Sequence, residues 1–518
     1  MKFIKLISFF FLVLIFSMLK AQNIDEKKLL ESAKEKMLNE NFEEALDDWL
    51  QLYQINPKNI DYQYNIAVCY LNTNFNKSKA IPYLENVVKS DNHNPNAEFL
   101  LARAYQYANR FTEALEYFQK FKSNGKGSPE NLKLVDLEIQ HCFNARELIK
   151  FPVNVTFHNL GKNINSEYAD YYPFIDEREN FLIYNTNRPI NSKSEKMPNG
   201  QFPSSIFVSK VVNGEFMESS PIGEPVSKGN SGEEIVGMSS NGRILIVHKN
   251  GKLYLSQMNE LGVFQKLEPL PTIINSNGDV IAASINNAGN EIYFASNRKG
   301  GYGGTDIYVC RKLDNGKWAE PENLGPSINT EFDEDFPNLS PDETILFFSS
   351  KGHGSMGGYD IFKATRNPET NKFENPKNIG YPINTSYDDM NFRLSKTKRY
   401  GYMASIRGSG LGDYDIYRII FNDEEPEFTL IVGQIQTSEP ITDYRDVNIQ
   451  VTQLNNGELI GNYIPNPNTG RYVMILPPGK YKLTAEHPEF KTYETTLEIF
   501  DKASYQSEIT HHIQLKKK

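Results

Sequence analysis

The chain is poor in cysteine, in tryptophan and in positive charge. Its 518 residues include three cysteines, Cys69, Cys142 and Cys310, none with a CxxC partner, which excludes a disulfide framework and a paired-thiol redox motif. Tryptophan occurs twice. Lys and Arg total 55 against 65 Asp and Glu, so the net charge is −10 and no basic excess is available to neutralise nucleic-acid phosphates. No Gly-Lys pair is followed by Ser or Thr, and the eight histidines form no HExxH, so neither a phosphate-cradling loop nor a zincin helix is present. No catalytic residue, cofactor or metal is therefore expected, and the sequence does not read as an enzyme. Beyond residue 19 no apolar run is long enough for a membrane-spanning helix, which takes roughly 20 residues. Composition is that of a globular protein, 39% hydrophobic and 23% charged, which excludes wholesale disorder.

What is abundant points to β structure with many turns: 29 Tyr, 32 Phe, 34 Gly and 27 Pro. The first residues are of another kind. Lys2 and Lys5 precede an apolar run over 6–19, followed by Lys20-Ala21-Gln22. This reads as a secretory signal peptide over 1–21, cut after Ala21, with an uncleaved anchor helix as the alternative. No Cys follows the run, so a lipid anchor is not expected. Cleavage would take the net charge to −13 and place the chain in the periplasm.

Residues 22–149 are rich in Glu, Lys, Leu and Ala at helical spacing, and they repeat. Phe42-Glu-Glu-Ala45 with Trp49, Lys79-Ala80 with Leu84, and Phe111-Thr-Glu-Ala114 with Phe118 line up at intervals of 35 and 34. Ala67 and Tyr70 recur as Ala102 and Tyr105. The pattern resembles the tetratricopeptide repeat, an all-α solenoid in which small residues sit where antiparallel helices cross. Residues 129–149 read as a helix that closes the stack. Such a solenoid offers a concave groove to peptides or proteins, and Tyr64, Asn72, Phe99, Arg103 and Tyr107 are the residues expected to face it. Cys69 is expected to be a buried, inert thiol.

From 150 to 420 helical spacing gives way to short β-branched and aromatic runs between turns. One unit reads Asn323-Leu-Gly-Pro-Ser-Ile-Asn329, then Asp333-Glu-Asp-Phe-Pro337, Ile345-Leu-Phe-Phe-Ser-Ser350, a Gly-rich turn and Tyr359-Asp360-Ile-Phe362. Asn275, Asn329 and Asn384 are 54 and 55 apart, as are Asp306, Asp360 and Asp415. An earlier unit begins at Asn159-Leu-Gly161, and a degenerate one near Ile222-Gly223 lacks the Gly-rich turn. The set resembles the WD-repeat-like propeller of PorE and TolB-like periplasmic proteins, which implies an all-β propeller of about five blades. Residues 151–157 are expected to complete the last blade by strand exchange. His353-Gly-Ser355-Met-Gly357 looks like a nucleophile elbow, but its sister turns Gly300–Gly304 and Gly408–Gly412 mark it as a hairpin turn needing positive φ. The acidic pairs Asp333/Asp335 and Asp388/Asp389 could hold a calcium ion, and the recurrent Asp could instead accept main-chain N–H bonds and fix each turn.

Residues 421–427 read as an acidic linker. Over 428–518 five alternating strands follow, and Gly470-Arg-Tyr with Leu476-Pro-Pro-Gly-Lys-Tyr481 resembles the carboxypeptidase regulatory-like domain, a small non-catalytic transthyretin-like β-sandwich. The order of these modules resembles the PorE-family proteins of the type IX secretion system of Bacteroidetes. That resemblance implies a non-enzymatic scaffold in the periplasm, at the inner face of the outer membrane, with secretion or gliding-motility components as partners. The family usually continues into an OmpA-like peptidoglycan-binding domain, and this sequence stops at Lys518, so peptidoglycan binding is not expected. The alternatives are an envelope sensor whose propeller takes a glycan or peptide, and, more remotely, a metal-dependent hydrolase.

Overall fold

The computed structural model describes residues 26–518 apart from 75, 213, 276–277, 423–427, 440–442 and 500–507. The signal-peptide reading over 1–21 and most of the linker at 421–427 lie outside the described residues. No helix among those described is long and apolar enough to cross a membrane.

The helical part consists of α1 Glu26–Leu38, α2 Phe42–Ile55, α3 Ile60–Asn72, a 3-10 turn Lys77–Ala80, α4 Ile81–Val87, α5 Asn96–Tyr107, α6 Phe111–Asn124 and α7 Pro129–Leu148. Local chemistry sets the ends. Asn41 caps α2 by accepting from the Glu44 amide, Asn59 caps α3, and Ser128 caps α7 ahead of Pro129 in its first turn. The repeat alanines Ala45, Ala67, Ala80, Ala102 and Ala114 are fully buried where helices cross, with Trp49, Leu84 and Phe118 filling the space beside them. Cys69 is buried in the same layer, and burial pushes its thiol up to about 12, the inert state expected of it.

Five antiparallel sheets follow. Sheet one is β2 Asp170–Ile175, β3 Phe181–Thr186, β4 Ser205–Val212, β5 Glu215–Phe216 and β6 Ser220–Pro221. Sheet two is β7 Glu234–Met238, β8 Ile244–Lys249, β9 Lys252–Gln257 and β10 Glu268–Pro269. Sheet three is β11 Val280–Ile285, β12 Glu291–Ser296, β13 Asp306–Arg311 and β14 Glu322–Asn323. Sheet four is β15 Glu334–Leu339, β16 Ile345–Ser350, β17 Asp360–Arg366 and β18 Phe373–Asn378. Sheet five is β19 Arg393–Leu394, β20 Tyr400–Ser405 and β21 Asp415–Phe421. Its fourth strand is β1 Val155–Asn159, which pairs with β21 from Val155↔Phe421 to Asn159↔Tyr417. The strand exchange expected of residues 151–157 is thus realised, a few residues further on. The degenerate second unit forms a complete sheet. In place of a Gly-rich turn it has Asn250-Gly251, both at positive φ, joining β8 to β9.

One device ties each sheet to the next. An asparagine amide accepts from the main-chain N–H and donates to the C=O of a single residue in the neighbouring sheet. Asn275 does this to Leu253 (2.8 and 2.9 Å), Asn329 to Ile307 and Asn384 to Ile361. Asn165 does it to Ile416 in the last sheet, 251 residues away. Between sheets one and two the repeat position is Ser227, and Asn185 of β3 clamps Ile235 instead, at 2.8 and 2.9 Å.

The recurrent aspartates fix the Gly-rich turns. Asp306 accepts from the Tyr302 and Gly303 amides, Asp360 from Met356 and Asp415 from Leu411, and each also takes a bond from the asparagine that opens the next unit (Asn323, Asn378 and Asn159). The glycines answer to two demands. Gly300 and Gly354 have φ of 93° and 87°. Gly303, Gly357 and Gly412 are different: a Cβ there would meet the next sheet's main chain at 1.8, 2.5 and 2.4 Å. Close approach, not left-handed backbone, requires glycine at those three places.

The third region has β22 Thr429–Thr437, β23 Asn448–Gln453, β24 Leu459–Tyr463, β25 Arg471–Leu476, β26 Gly479–His487, β27 Phe490–Ile499, β28 Glu508–Thr510 and β29 Ile513–Leu515. They form two sheets, β25-β22-β28 with β29 also on β22, and β24-β23-β26-β27. Alternate residues enter a shared core, among them Ile431, Ile449, Val451, Tyr472, Met474 and Leu483.

Two pairs of substitutions test these assignments. Asn165→Ala leaves the Ile416 amide without its partner and the Ile416 carbonyl with the Leu160 amide alone, a loss of about 1–3 kcal/mol. Its urea midpoint should fall clearly, whereas Asn72→Ala, on an exposed helix face, should change stability by less than about 0.5 kcal/mol. Gly357→Ala should cost about 1–3 kcal/mol through the overlap with Ser386 and Thr385. Gly408→Ala, where nothing lies within 4 Å, should be close to neutral in the same titration.

Candidate binding site between the helices and the sheets

The helices lie against the Gly-rich turns. On α7, His141 Nε2 is 2.9 Å from the Lys351 carbonyl, and Asn144 Nδ2 donates to the Ser355 carbonyl at 2.9 Å. Met356 is buried inside the cluster formed by α3 to α7. Ser386 Oγ donates to Asn109 at 3.2 Å, and the loop between β3 and β4 reaches α2 through Lys196 and Glu44 at 3.5 Å. Ser355 is fully buried in this contact. Its hydroxyl is within donating distance of the Ser350 and Gly352 carbonyls, and His353 is turned to the Ile328 carbonyl.

This docking decides the fate of the five residues expected to face a groove. Phe99 is buried within the repeats against Phe118 and Phe121, so it faces no groove. Tyr64 is partly buried against the helical core, and Asn72 is exposed, its amide donating to the Val68 carbonyl. Arg103 and Tyr107 do face away from the helix stack, but the sheets cover them. The Tyr107 ring lies 4.9 Å from that of Tyr387, and the Arg103 guanidinium donates to Tyr107 and to Glu138 of α7. The concave side is therefore occupied at that end by the chain's own turns. Burial would push the Glu138 carboxyl up; the Arg103 charge, with His141 beside it, outweighs burial and holds it down to about 2. Lys77 Nζ donates to the Leu71 carbonyl at 2.5 Å and lies over the Tyr107 ring, and burial lowers its ammonium to about 8.

Next to this contact a cavity of about 360 Å³ remains. Tyr171, Tyr172, Tyr414, Glu234, Asp388 and Asp413 line it, Asn74 closes it from the helical side, and Met197 and Gln201 stand exposed at its rim. Tyr171 and Tyr172 meet edge to face at 4.9 Å. Tyr172 sits at the bulge of β2 with φ of 51° and touches Phe336, at the bulge of β15 with φ of 50°, at 4.8 Å. These side chains come from strands of sheets one and four. Glu234 Oε1 accepts from Tyr171 and from Ser204, both at 2.7 Å. Burial raises Asp413 to about 6, against the Asn74 amide that bonds to it. Among the described residues no group of three His, Cys, Asp or Glu is arranged to hold a metal. Asp333 is engaged by Lys351 and the Thr305 amide, Asp335 by the Phe336 amide, Asp388 by the Tyr359 amide and Asp389 by Thr385. None of the tyrosines in the cavity was singled out from sequence. The signal available was positional: Tyr414, like Tyr359, directly precedes the recurrent Asp-Ile of its unit.

Arg103→Met should cost about 3–5 kcal/mol, because it strands the buried Glu138 carboxylate. The sign of its pH dependence follows from the depressed carboxyl. Its stabilisation is complete above the ordinary Glu pKa and is lost as pH falls towards about 2. Thermal melts at neutral pH and near pH 3 should show a smaller acid loss in the variant than in the parent chain.

Residues 96–124, which span α5 and α6, match the tetratricopeptide repeat family. No curated protein matches the chain. Among solved structures, the chain is similar to a putative TolB from Agrobacterium tumefaciens at 13% identity over 62% of this chain and 97% of that one, TM-score 0.29. A DUF3823 family protein from Parabacteroides merdae aligns at 16% identity over 18% of this chain and about half (47%) of its own, TM-score 0.14. Puromycin hydrolase aligns at 9% identity over 66% of this chain and 53% of that one, TM-score 0.27. These likenesses are too slight to carry an argument about activity.

Proposed function

We propose that the protein is a non-enzymatic interaction scaffold of the bacterial cell envelope. In this reading tetratricopeptide helices over 22–149, a closed five-bladed propeller over 150–420 and a transthyretin-like sandwich over 428–518 hold partner proteins together. The observation that carries it is how the polar side chains of the turn face are used. Ser355, His353, His141, Asp306 and Asp360 are all engaged in bonds that fix turns or seat the helices on them. What is left free is surface. On the sandwich, Val473 and Ile475 are more than half exposed and lie across from Val432 and Leu430, a two-strand apolar stripe. The signal-peptide reading and the PorE-like order of modules favour the periplasm, the inner face of the outer membrane, and a role in type IX secretion or gliding motility.

The test is made in the native host with a tagged full-length chain. Amino-terminal sequencing of the periplasmic protein should begin at Gln22. Crosslinking should recover outer-membrane secretion or gliding components, and recovery of soluble proteins alone overturns the scaffold reading. Peptidase and esterase activities, with and without added zinc, should stay at background. The second reading, an envelope sensor for a glycan or peptide, is favoured by the tyrosine-lined cavity.

A further inference from the structure

The cavity between the helices and the sheets has a chemistry that the scaffold reading does not use. We infer that it is a binding site for an alkylammonium group, such as a lysine side chain presented by a peptide. Its three carboxylates come from separate parts of the chain: Glu234 from β7, Asp388 from the loop before β19, and Asp413 from the Gly-rich turn before β21. Among the described residues none of the three forms an ion pair, and no Lys or Arg lines the cavity. Two cations of the same junction make their direct bonds elsewhere. Arg103 is held by Glu138 and Tyr107, and Lys77 donates to the Leu71 carbonyl. Lys77 acts on Asp388 and Asp413, and Arg103 on Asp388, only through space, so the cavity wall itself carries acids and no cation.

The second observation is aromatic. Tyr171 and Tyr172 stand at 82° to one another, which presents one ring face and one ring edge, and Tyr414 belongs to the same wall. The hydroxyls of Tyr172 and Tyr414 have no hydrogen-bond partner among the described residues, although burial around both raises their pKa well above the usual range. Tyr171 is locked by Glu234 and Ser204, so its ring is held in place before any ligand arrives. A pre-set aromatic wall beside carboxylates that form no ion pair is the arrangement that attracts organic cations, by ring quadrupole and by charge together. Met197 at the mouth and Met390 within would contact the alkyl stem. The volume of about 360 Å³ is within the range of small-ligand sites and too small for a folded partner.

The inference concerns the purified chain alone, so its failure leaves the crosslinking result of the scaffold reading untouched. Calorimetric titration of the full chain with the tripeptide acetyl-Gly-Lys-Gly-amide should give saturable one-to-one binding. The norleucine analogue, which lacks the charge, should bind at least about tenfold more weakly. Glu234→Gln and Met197→Ala should each weaken binding, the second from an exposed rim position where folding is not at stake. Circular dichroism melts confirm that each variant is folded. Titration with n-butylamine separates the two sources of the group: comparable affinity points to a free amine, and binding of the tripeptide alone to a peptide. Equal binding of the lysine and norleucine peptides, or no heat from either lysine peptide or butylamine at millimolar concentration, overturns the inference.

Discussion

A side-chain amide that replaces a missing strand is the interaction on which the β region depends. Neighbouring sheets cannot share a ladder, because each is complete within itself. A buried asparagine supplies one acceptor and one donor at the spacing of a single residue's N–H and C=O, so it satisfies a main-chain N–H and gives the same residue's carbonyl a second bond beside the one it takes from a main-chain amide, Leu160 for Ile416 and Leu324 for Ile307. Each such bond is worth about 1 kcal/mol net, and leaving the groups unmet costs more. The bonds also set register. Asn329 fixes where sheet four begins relative to Ile307, and Asn165 fixes sheet one relative to Ile416. The exception supports the rule. Where Ser227 stands in the repeat position, Asn185 of β3 makes the same pair of bonds to Ile235 from the other side of the junction.

The Gly-rich turns follow from that spacing. Once the amides hold two sheets at a fixed distance, the turn before β13, β17 or β21 lies against the neighbouring loop with no room for a Cβ. The aspartate at the start of each of these strands then accepts from the turn's amides, which fixes the turns against which the helices rest. His141 and Asn144 bond to carbonyls of one such turn, and Met356 at its tip enters the helical core. A motif that resembles a nucleophile elbow is thereby a docking surface, and its serine is sealed inside it.

Much of this was legible in the sequence, for a physical reason. The asparagines and aspartates act locally within a repeating unit, so they recur at 54 and 55 residues. The repeat alanines recur because helices cross at the same place in each unit. The pairing of β1 with β21 was foreshadowed by a β-like segment left over before the first unit. The strands of the sandwich were likewise visible in their alternation, except β24, β28 and β29, which are short or weakly patterned. What could not be read was the contact between modules. Arg103 and Tyr107 look like groove residues because repeat position alone puts them on the concave side, and nothing local says that Tyr387, 280 positions on, covers them. Phe99 was misplaced for a smaller reason. One turn of helix separates the groove side from the core side, and its fit against Phe118 and Phe121 is a matter of packing that residue type does not reveal.

The same contact explains why charge is distributed as it is. The Arg103–Glu138 pair is buried at the junction, where a lone charge would be costly; Tyr107 accepts a further bond from Arg103, and His141 Nδ1 stands 3.6 Å from Glu138 Oε2. Such a pair adds little net stability, but it penalises every arrangement in which α5 and α7 are not held together. Beside it Glu234, Asp388 and Asp413 line a cavity that no Lys or Arg lines, with Lys77 acting on the two aspartates only through space. If those carboxylates served only to hold the junction, pairing or burial without charge would stabilise it better, and Asp413, raised to about 6, already bears the strain of its position. An interface that pairs one buried acid directly and leaves three beside it with hydrogen bonds but no ion pair spends stability on a negative cavity, and the physical return on that expense is affinity for a positive ligand.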